Sequence, residues 1–182
     1  DFFQMIQNTA LESGQILDFY KNSEYGDTER FSMAGMSMGA MTALYYGAYS
    51  ERHPACIVSI CGTPDWTDLL GTDKVYVKSV KGALKPISDE EERKKLVMEL
   101  GQNSPDLNME ALLSLPILMI NGDADETVPV YGVQAFEAKA SLFPNELTVS
   151  VKEGHKHDIE EGDVEEALDF LKEHLPAGEG GQ

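Results

Sequence analysis

Gly35-Met36-Ser37-Met38-Gly39 is the stretch that decides the fold of this 182-residue chain. It follows a segment of strand character, residues 30–34, and precedes a good helix-forming segment, residues 40–46. A G-x-S-x-G between a strand and a helix is typical of the nucleophile elbow, a turn so tight that the serine backbone is strained. We expect both glycines to be needed, because the strand and the helix approach closely there. The pattern predicts that the Ser37 hydroxyl lies at the carboxyl end of a strand, with the Met38 N–H directed at a developing oxyanion.

Composition and charge indicate a soluble globular domain that does not bind polyanions. Hydrophobic residues make up 42% of the chain and charged residues 25%, and the length is that of one domain with a sizeable core. No apolar run is long enough to cross a bilayer. With 14 Lys and Arg against 32 Asp and Glu, the net charge is −18, which argues against nucleic acid or an anionic membrane as a partner. The same charge disfavours a strongly anionic substrate.

Two cysteines, Cys56 and Cys61, lie in one apolar run, residues 55–61. Five positions apart on a strand, they point to opposite faces and cannot form a disulfide with each other. We interpret them as reduced core thiols, and we predict a cytoplasmic protein.

Hydrophobic periodicity switches between helix and strand along the chain. Besides the elbow strand and its helix, the predicted elements are a helix at 1–20, strands at 55–61, 116–121 and 147–151, and helices at 130–142 and 164–175. This order predicts a single α/β domain over residues 1–182, with a mostly parallel sheet and flanking helices. Residues 67–114 do not have strand character. A capping box at residues 88–91 and an apolar segment at 109–113 indicate a helical insertion there.

Candidate partners for the serine follow the last two predicted strands. A serine needs a base to take its proton, and the base needs an acid to orient it. In a parallel sheet such residues belong in loops after strand carboxyl ends, where the serine also lies. The third predicted strand is followed by Asn-Gly-Asp-Ala-Asp-Glu-Thr-Val-Pro at 121–129, and the fourth by Lys-Glu-Gly-His-Lys-His-Asp at 152–158. The chain order is therefore Ser, Asp, His, which is the order of an α/β-hydrolase triad.

These three motifs together resemble the carboxyl-terminal two-thirds of an α/β-hydrolase, close to the prolyl-oligopeptidase-like and dienelactone-hydrolase-like small esterases. The resemblance implies Ser37 as nucleophile, Asp125 as acid and His155 as base. Asp125 lies three residues before Val-Pro, and His155 follows a glycine after the last strand. The implied reaction is hydrolysis of a small-molecule carboxylic ester through an acyl-enzyme, without a cofactor. A peptidase of the prolyl-oligopeptidase-like type and a non-catalytic relative that binds a ligand or partner are the alternatives.

Both assignments have a rival nearby. Asp123 lies two residues closer to the strand and could instead hydrogen-bond the loop backbone, a common role for Asp after Gly. His157 lies two residues beyond His155 and could be either the base or a solvated loop residue. A metal site built from His155, His157 and Asp158 lacks a recognised ligand spacing, so we expect no metal.

Two further residues are possible pocket residues. Met36 flanks the nucleophile. Trp66 lies in the loop after the second strand, and residues of this loop often line acyl or leaving-group pockets. Packing in the core is the alternative for both.

The second donor of an oxyanion hole is missing from the pattern. Met38 N–H supplies one donor, whereas the other normally comes from a loop after an earlier strand, often with a His-Gly pair. The 36 residues before Ser37 contain no such pair. Several strands that should flank the elbow strand are missing as well. We therefore expect a segment of a longer protein or a truncated relative, with one edge of the sheet bare.

Overall fold

The computed structural model describes residues 2–21, 28–66 and 101–175, together with Glu91, Lys94 and Met98. The described residues contain one four-stranded sheet with the order β1-β2-β3-β4, in which all neighbouring strands are parallel. The strands are β1 (Met33–Met36), β2 (Ile57–Ile60), β3 (Ile117–Gly122) and β4 (Leu147–Lys152). The predicted parallel α/β architecture is confirmed.

Helices cover both faces of the sheet. They are α1 (Phe2–Tyr20), α2 (Met38–Tyr49), α3 (Met109–Leu113), α4 (Tyr131–Ala140) and α5 (Glu161–His174), and a 3₁₀ turn at Pro105–Asn108 leads into α3. Alternate residues of β3 face opposite layers, as the two-residue period of a strand requires. Ile117 and Met119 pack with α2, α3 and α4, whereas Leu118 and Ile120 pack with α5.

The two central strands are buried along their whole length, which explains their uniformly apolar sequences. Helix α1 lies on α2, where Phe3 and Ile6 pack with Met41. At the other side of the described sheet, β1 pairs only with β2, and Ala34 is exposed. Among the described residues, no further strand pairs with this edge of the sheet. No helix among the described residues is long and apolar enough to span a membrane.

The predicted insertion falls largely outside the described residues. Between residues 67 and 100 the structure describes Glu91, Lys94 and Met98, which are helical, and Glu91 and Lys94 form an ion pair at 3.1 Å. The short helix predicted at 109–113 is present as α3.

Candidate active site

Ser37 forms the turn between β1 and α2. Its backbone has a φ of 55° and a ψ of −118°, a conformation that residues other than glycine rarely adopt and that costs about 1–3 kcal/mol. Two hydrogen bonds stabilise the turn: Ser37 N–H donates to the Ile60 carbonyl at 2.8 Å, and Met41 N–H donates to the Ser37 carbonyl at 3.0 Å. Pairing with β2 continues to Met36, so the strand begins later than predicted and ends at the residue immediately before the serine.

Only one of the two motif glycines is required by close packing. A Cβ on Gly35 would lie 2.7 Å from the backbone nitrogen of Ala40 and still closer to the backbone of Gly39. A Cβ on Gly39 would meet no atom within 4 Å. The prediction that glycine is needed is therefore right for Gly35 and wrong for Gly39, because the close approach occurs on the strand side of the turn.

His157 lies between Ser37 and Asp125. Its Nε2 is 2.8 Å from Ser37 Oγ, and its Nδ1 is 2.8 Å from Asp125 Oδ2. An ionised carboxylate can only accept, so Nδ1 carries the hydrogen and Nε2 is left to accept the Ser37 hydroxyl. A hydroxyl, an imidazole and a buried carboxylate in this sequence of contacts have the geometry of a nucleophile, its base and an orienting acid.

Asp125 is held by its own loop. Its buried side chain accepts hydrogen bonds at Oδ1 from the N–H groups of Thr127 at 2.7 Å and Val128 at 2.9 Å. These two donors offset part of the cost of burying a carboxylate and fix its rotamer. Oδ2 is thereby directed at His157. The catalytic role of Asp125 stays a prediction.

The structure corrects the choice of His155 as the residue in contact with the serine. The His155 ring points toward the start of α5, with Nε2 3.5 Å from Glu160 Oε2 and Nδ1 3.8 Å from Asp163 Oδ2. Its backbone carbonyl accepts a hydrogen bond from Ala124 N–H at 3.0 Å. His155 therefore anchors its loop to the end of β3, and the imidazole that reaches Ser37 is that of His157.

The reason for this two-residue difference is the path of the loop after β4. Gly154 adopts a φ of 76°, and after this turn the His155 carbonyl contacts the loop that follows β3 before His157 reaches Ser37. Asp123 stabilises this turn, because its Oδ1 accepts the Gly154 N–H at 2.6 Å. Backbone hydrogen bonding is the alternative role that the sequence suggested for Asp123. Gly122 also allows the loops after β3 and β4 to approach each other, since a Cβ on this residue would overlap the His155 backbone.

Met38 is the first residue of α2, immediately after Ser37. An N–H in the first turn of a helix has no acceptor within the helix, and the helix dipole favours negative charge at that end. These properties suit the oxyanion-donor role expected for Met38, which stays a prediction.

The two possible pocket residues have different surroundings. Trp66 is 0% exposed, stacks on Tyr45 with ring centroids 5.4 Å apart, and also contacts Phe3. Its assignment to a substrate pocket is therefore wrong for the described structure, and the core-packing alternative applies. Met36 is half-buried and packs against the apolar cluster under α5. A pocket role for Met36 stays a prediction.

Cys61 is a residue near the site that the sequence analysis treated as an ordinary core thiol. It follows β2 directly, has a φ of 52°, and its thiol donates to the Asp158 carbonyl at 3.3 Å. Burial, and then the negative charges of Asp125, Asp158 and Asp163, raise the pKa of the thiol to about 11. It is therefore protonated at neutral pH. The sequence did carry a signal that Cys61 lies near the site. Cys61 follows a predicted parallel strand, so it belongs at the same sheet edge as Ser37.

Comparison with known proteins shows the family to which this sequence belongs. The sequence profile of the prolyl oligopeptidase family matches residues 4–177. The chain is 28% identical over 153 residues to the esterase YjfP of Escherichia coli strain K12, covering 81% of this chain and 57% of that protein. The chain thus spans little more than half the length of this relative.

Two solved structures share the fold. Pyrococcus horikoshii acylaminoacyl peptidase superposes with a TM-score of 0.68 at 15% identity, over 92% of this chain and 28% of that one. Acetyl xylan esterase 1 from Thermoanaerobacterium sp. JW/SL YS485 superposes with a TM-score of 0.66 at 19% identity, over 92% of this chain and 52% of that one. At these identities the two superpositions support the α/β-hydrolase fold alone. Because the family profile spans nearly the whole sequence, the chain belongs to the prolyl oligopeptidase family.

Proposed function

We propose that this chain carries the catalytic triad of a serine hydrolase that cleaves small carboxylic esters through an acyl-enzyme. The observation that carries the proposal is the continuous hydrogen-bonded series from Ser37 Oγ through the His157 ring to Asp125, with both links at 2.8 Å. Each of the three residues follows the carboxyl end of a different strand, so one sheet edge holds all of them.

The geometry suggests a role for each group. Ser37 Oγ attacks the ester carbonyl while His157 Nε2 takes its proton, and the same nitrogen then protonates the leaving alcohol. Asp125 orients the imidazole and stabilises its charged form. Met38 N–H donates to the tetrahedral oxyanion, and water then releases the acid by the reverse sequence.

The YjfP protein of Escherichia coli, which is 28% identical to this chain, is named an esterase. This similarity supports an ester as the substrate in preference to a peptide bond. A neutral acyl group is the expected substrate, because the net charge of −18 disfavours an anionic one. The family profile is that of a peptidase family, so hydrolysis of a peptide bond is the alternative.

The test is turnover of p-nitrophenyl esters from acetate to octanoate by the natural full-length protein, alongside aminoacyl p-nitroanilides. The informative pair of variants is His157→Ala and His155→Ala. We expect His157→Ala and Ser37→Ala to lower kcat/KM by at least about 10³-fold, as for other triads. His155→Ala removes only a ring that contacts α5, so we expect a change below about tenfold.

Labelling of Ser37 with a fluorophosphonate separates an activated serine from a binding pocket. Labelling that disappears in Ser37→Ala, together with ester turnover, supports the esterase. Faster turnover of the anilides would favour the peptidase. If neither substrate class is hydrolysed and Ser37 is not labelled, the proposal is refuted in favour of a non-catalytic binding role.

A further inference from the structure

Three side chains of metal-binding type meet beside the serine. Cys61, Asp125 and His157 follow β2, β3 and β4, and one potential ligand atom from each lies within 4.8 Å of the other two. Cys61 and Asp125 are buried, whereas His157 is partly exposed. An ion could therefore reach the cluster from solvent beside His157.

The donor set matches a particular class of ion. Thiolate and imidazole together are preferred ligands of Zn²⁺, and a carboxylate completes many of its sites. Tetrahedral Zn²⁺ with bonds of about 2.0–2.3 Å needs donor atoms about 3.5 Å apart, so the three groups must close by roughly 1 Å. One thiolate and one carboxylate also balance the charge of a divalent cation in a buried place.

We propose that Cys61, Asp125 and His157 form an inhibitory site for Zn²⁺ and for similar divalent ions that prefer sulfur ligands. The ion replaces the proton of the Cys61 thiol, which leaves to solvent, and no oxidant or reductant takes part. A water molecule or the Ser37 hydroxyl completes the coordination. The effect on turnover rests on the proposed function, whereas binding of the ion does not.

Inhibition follows from the two roles of the imidazole. If the ion takes Nδ1, the hydrogen on that nitrogen moves to Nε2, so the hydrogen bond to Asp125 Oδ2 is lost and Nε2 can no longer accept the Ser37 proton. If the ion takes Nε2, no base is left for the Ser37 hydroxyl. In both cases the ion holds a nitrogen that the reaction needs, so occupancy and turnover exclude each other.

Sequence spacing could not predict this set. The only local candidate was His155, His157 and Asp158, and we expected no metal because its spacing matches no recognised site. In the structure His155 points toward α5, and the sulfur ligand comes from 96 positions earlier than His157 along the chain. The parallel sheet brings the three loops to one edge.

The experiment uses the natural full-length protein without thiol reductants and measures both inhibition and binding. Ester turnover is titrated with Zn²⁺, and binding of Co²⁺ is followed by the near-ultraviolet charge-transfer band that a thiolate–cobalt bond produces. Cys61→Ala is the test variant, with Cys61→Ser as a second variant that preserves the size of the side chain. The matched control is Cys56→Ser, because Cys56 is the other buried cysteine and bonds Ser32 at 3.2 Å instead.

We expect Zn²⁺ to inhibit the natural protein and the Cys56→Ser variant equally, and a chelator to restore activity. Loss of the sulfur ligand should raise the inhibitory concentration by about 10–100-fold or more and should abolish the cobalt band. Equal inhibition of the Cys61 variants, or bound Co²⁺ without the thiolate band, would overturn the proposal. If the protein hydrolyses no substrate, the cobalt band and its loss in the Cys61 variants still decide whether the site exists.

Discussion

Replacing Gly122 with alanine tests whether the fit between the loops after β3 and β4 positions the base. A Cβ at this position would lie 2.5 Å from the His155 carbonyl carbon, 2.9 Å from its Cβ, and closest to its carbonyl oxygen. Because carbon atoms pack at about 3.5 Å, the His155 backbone must move by roughly 1 Å. The Ala124 N–H bond to the His155 carbonyl opposes that movement on one side, and His157 lies only two residues further along the chain.

The size of the effect follows from this displacement. A misplacement of about 1 Å in a reacting group costs about 10²-fold in rate, so kcat should fall by that amount while KM changes little. Overpacking of this kind also destabilises a fold by about 1–3 kcal/mol. For a domain of about 150–250 residues, that lowers Tm by roughly 2–12 °C.

The assay compares kcat, KM and thermal unfolding of Gly122→Ala with those of Gly162→Ala in the full-length protein. Gly162 is a matched control, because a Cβ there meets no atom within 4 Å and the residue lies in the first turn of α5. We expect this control to keep full activity and to gain up to about 1 kcal/mol from the less flexible unfolded chain. Wild-type kcat and Tm in Gly122→Ala would refute the argument that this loop contact positions His157.

Further predictions concern three residues at or beside the triad. Asp125→Asn should lower kcat by about 10³–10⁴-fold with little change in KM, because the amide can no longer orient the ring and stabilise its charge; steady-state kinetics would contradict this if kcat fell less than tenfold. Asp123→Ala should lower the unfolding free energy by about 1 kcal/mol and kcat by about tenfold, since it removes the hydrogen bond to Gly154 N–H; denaturant titration and kinetics measure both, and unchanged values would argue against the bond. Cys61 should resist iodoacetamide at pH 7.5 until the protein unfolds, as mass spectrometry of the peptide can show, because its pKa is about 11. Since folding raises this pKa above the ordinary value of 9.0, the thiol's contribution to stability is intact below pH 9 and is lost as the pH rises toward 11. A Cys61→Ala variant that loses stability as steeply over that range would contradict the assignment.

The position of the catalytic edge could be predicted from local sequence, because the elbow and the strands depend on short-range patterns. The need for glycine at position 35 follows from a local contact, because a Cβ there would meet the backbone of Gly39 and Ala40, within five residues. The strands β2 and β3 can be predicted because their sequences are uniformly apolar runs, as is typical of strands with both faces covered. Asp125 was assigned by its distance from Val-Pro, and the hydrogen bond from Val128 N–H explains that distance.

Only the tertiary structure decided which histidine reaches the serine, whether Trp66 is exposed or buried, and which groups surround Cys61. His155 and His157 are equally compatible with a loop after β4, and the choice depends on how that loop packs against β3 through Gly122 and Asp123. Trp66 is buried by α1 and α2, which the sequence places far from it. Local sequence determines the conformation of each turn, whereas contacts between loops more than 25 residues apart depend on how the sheet aligns its strands.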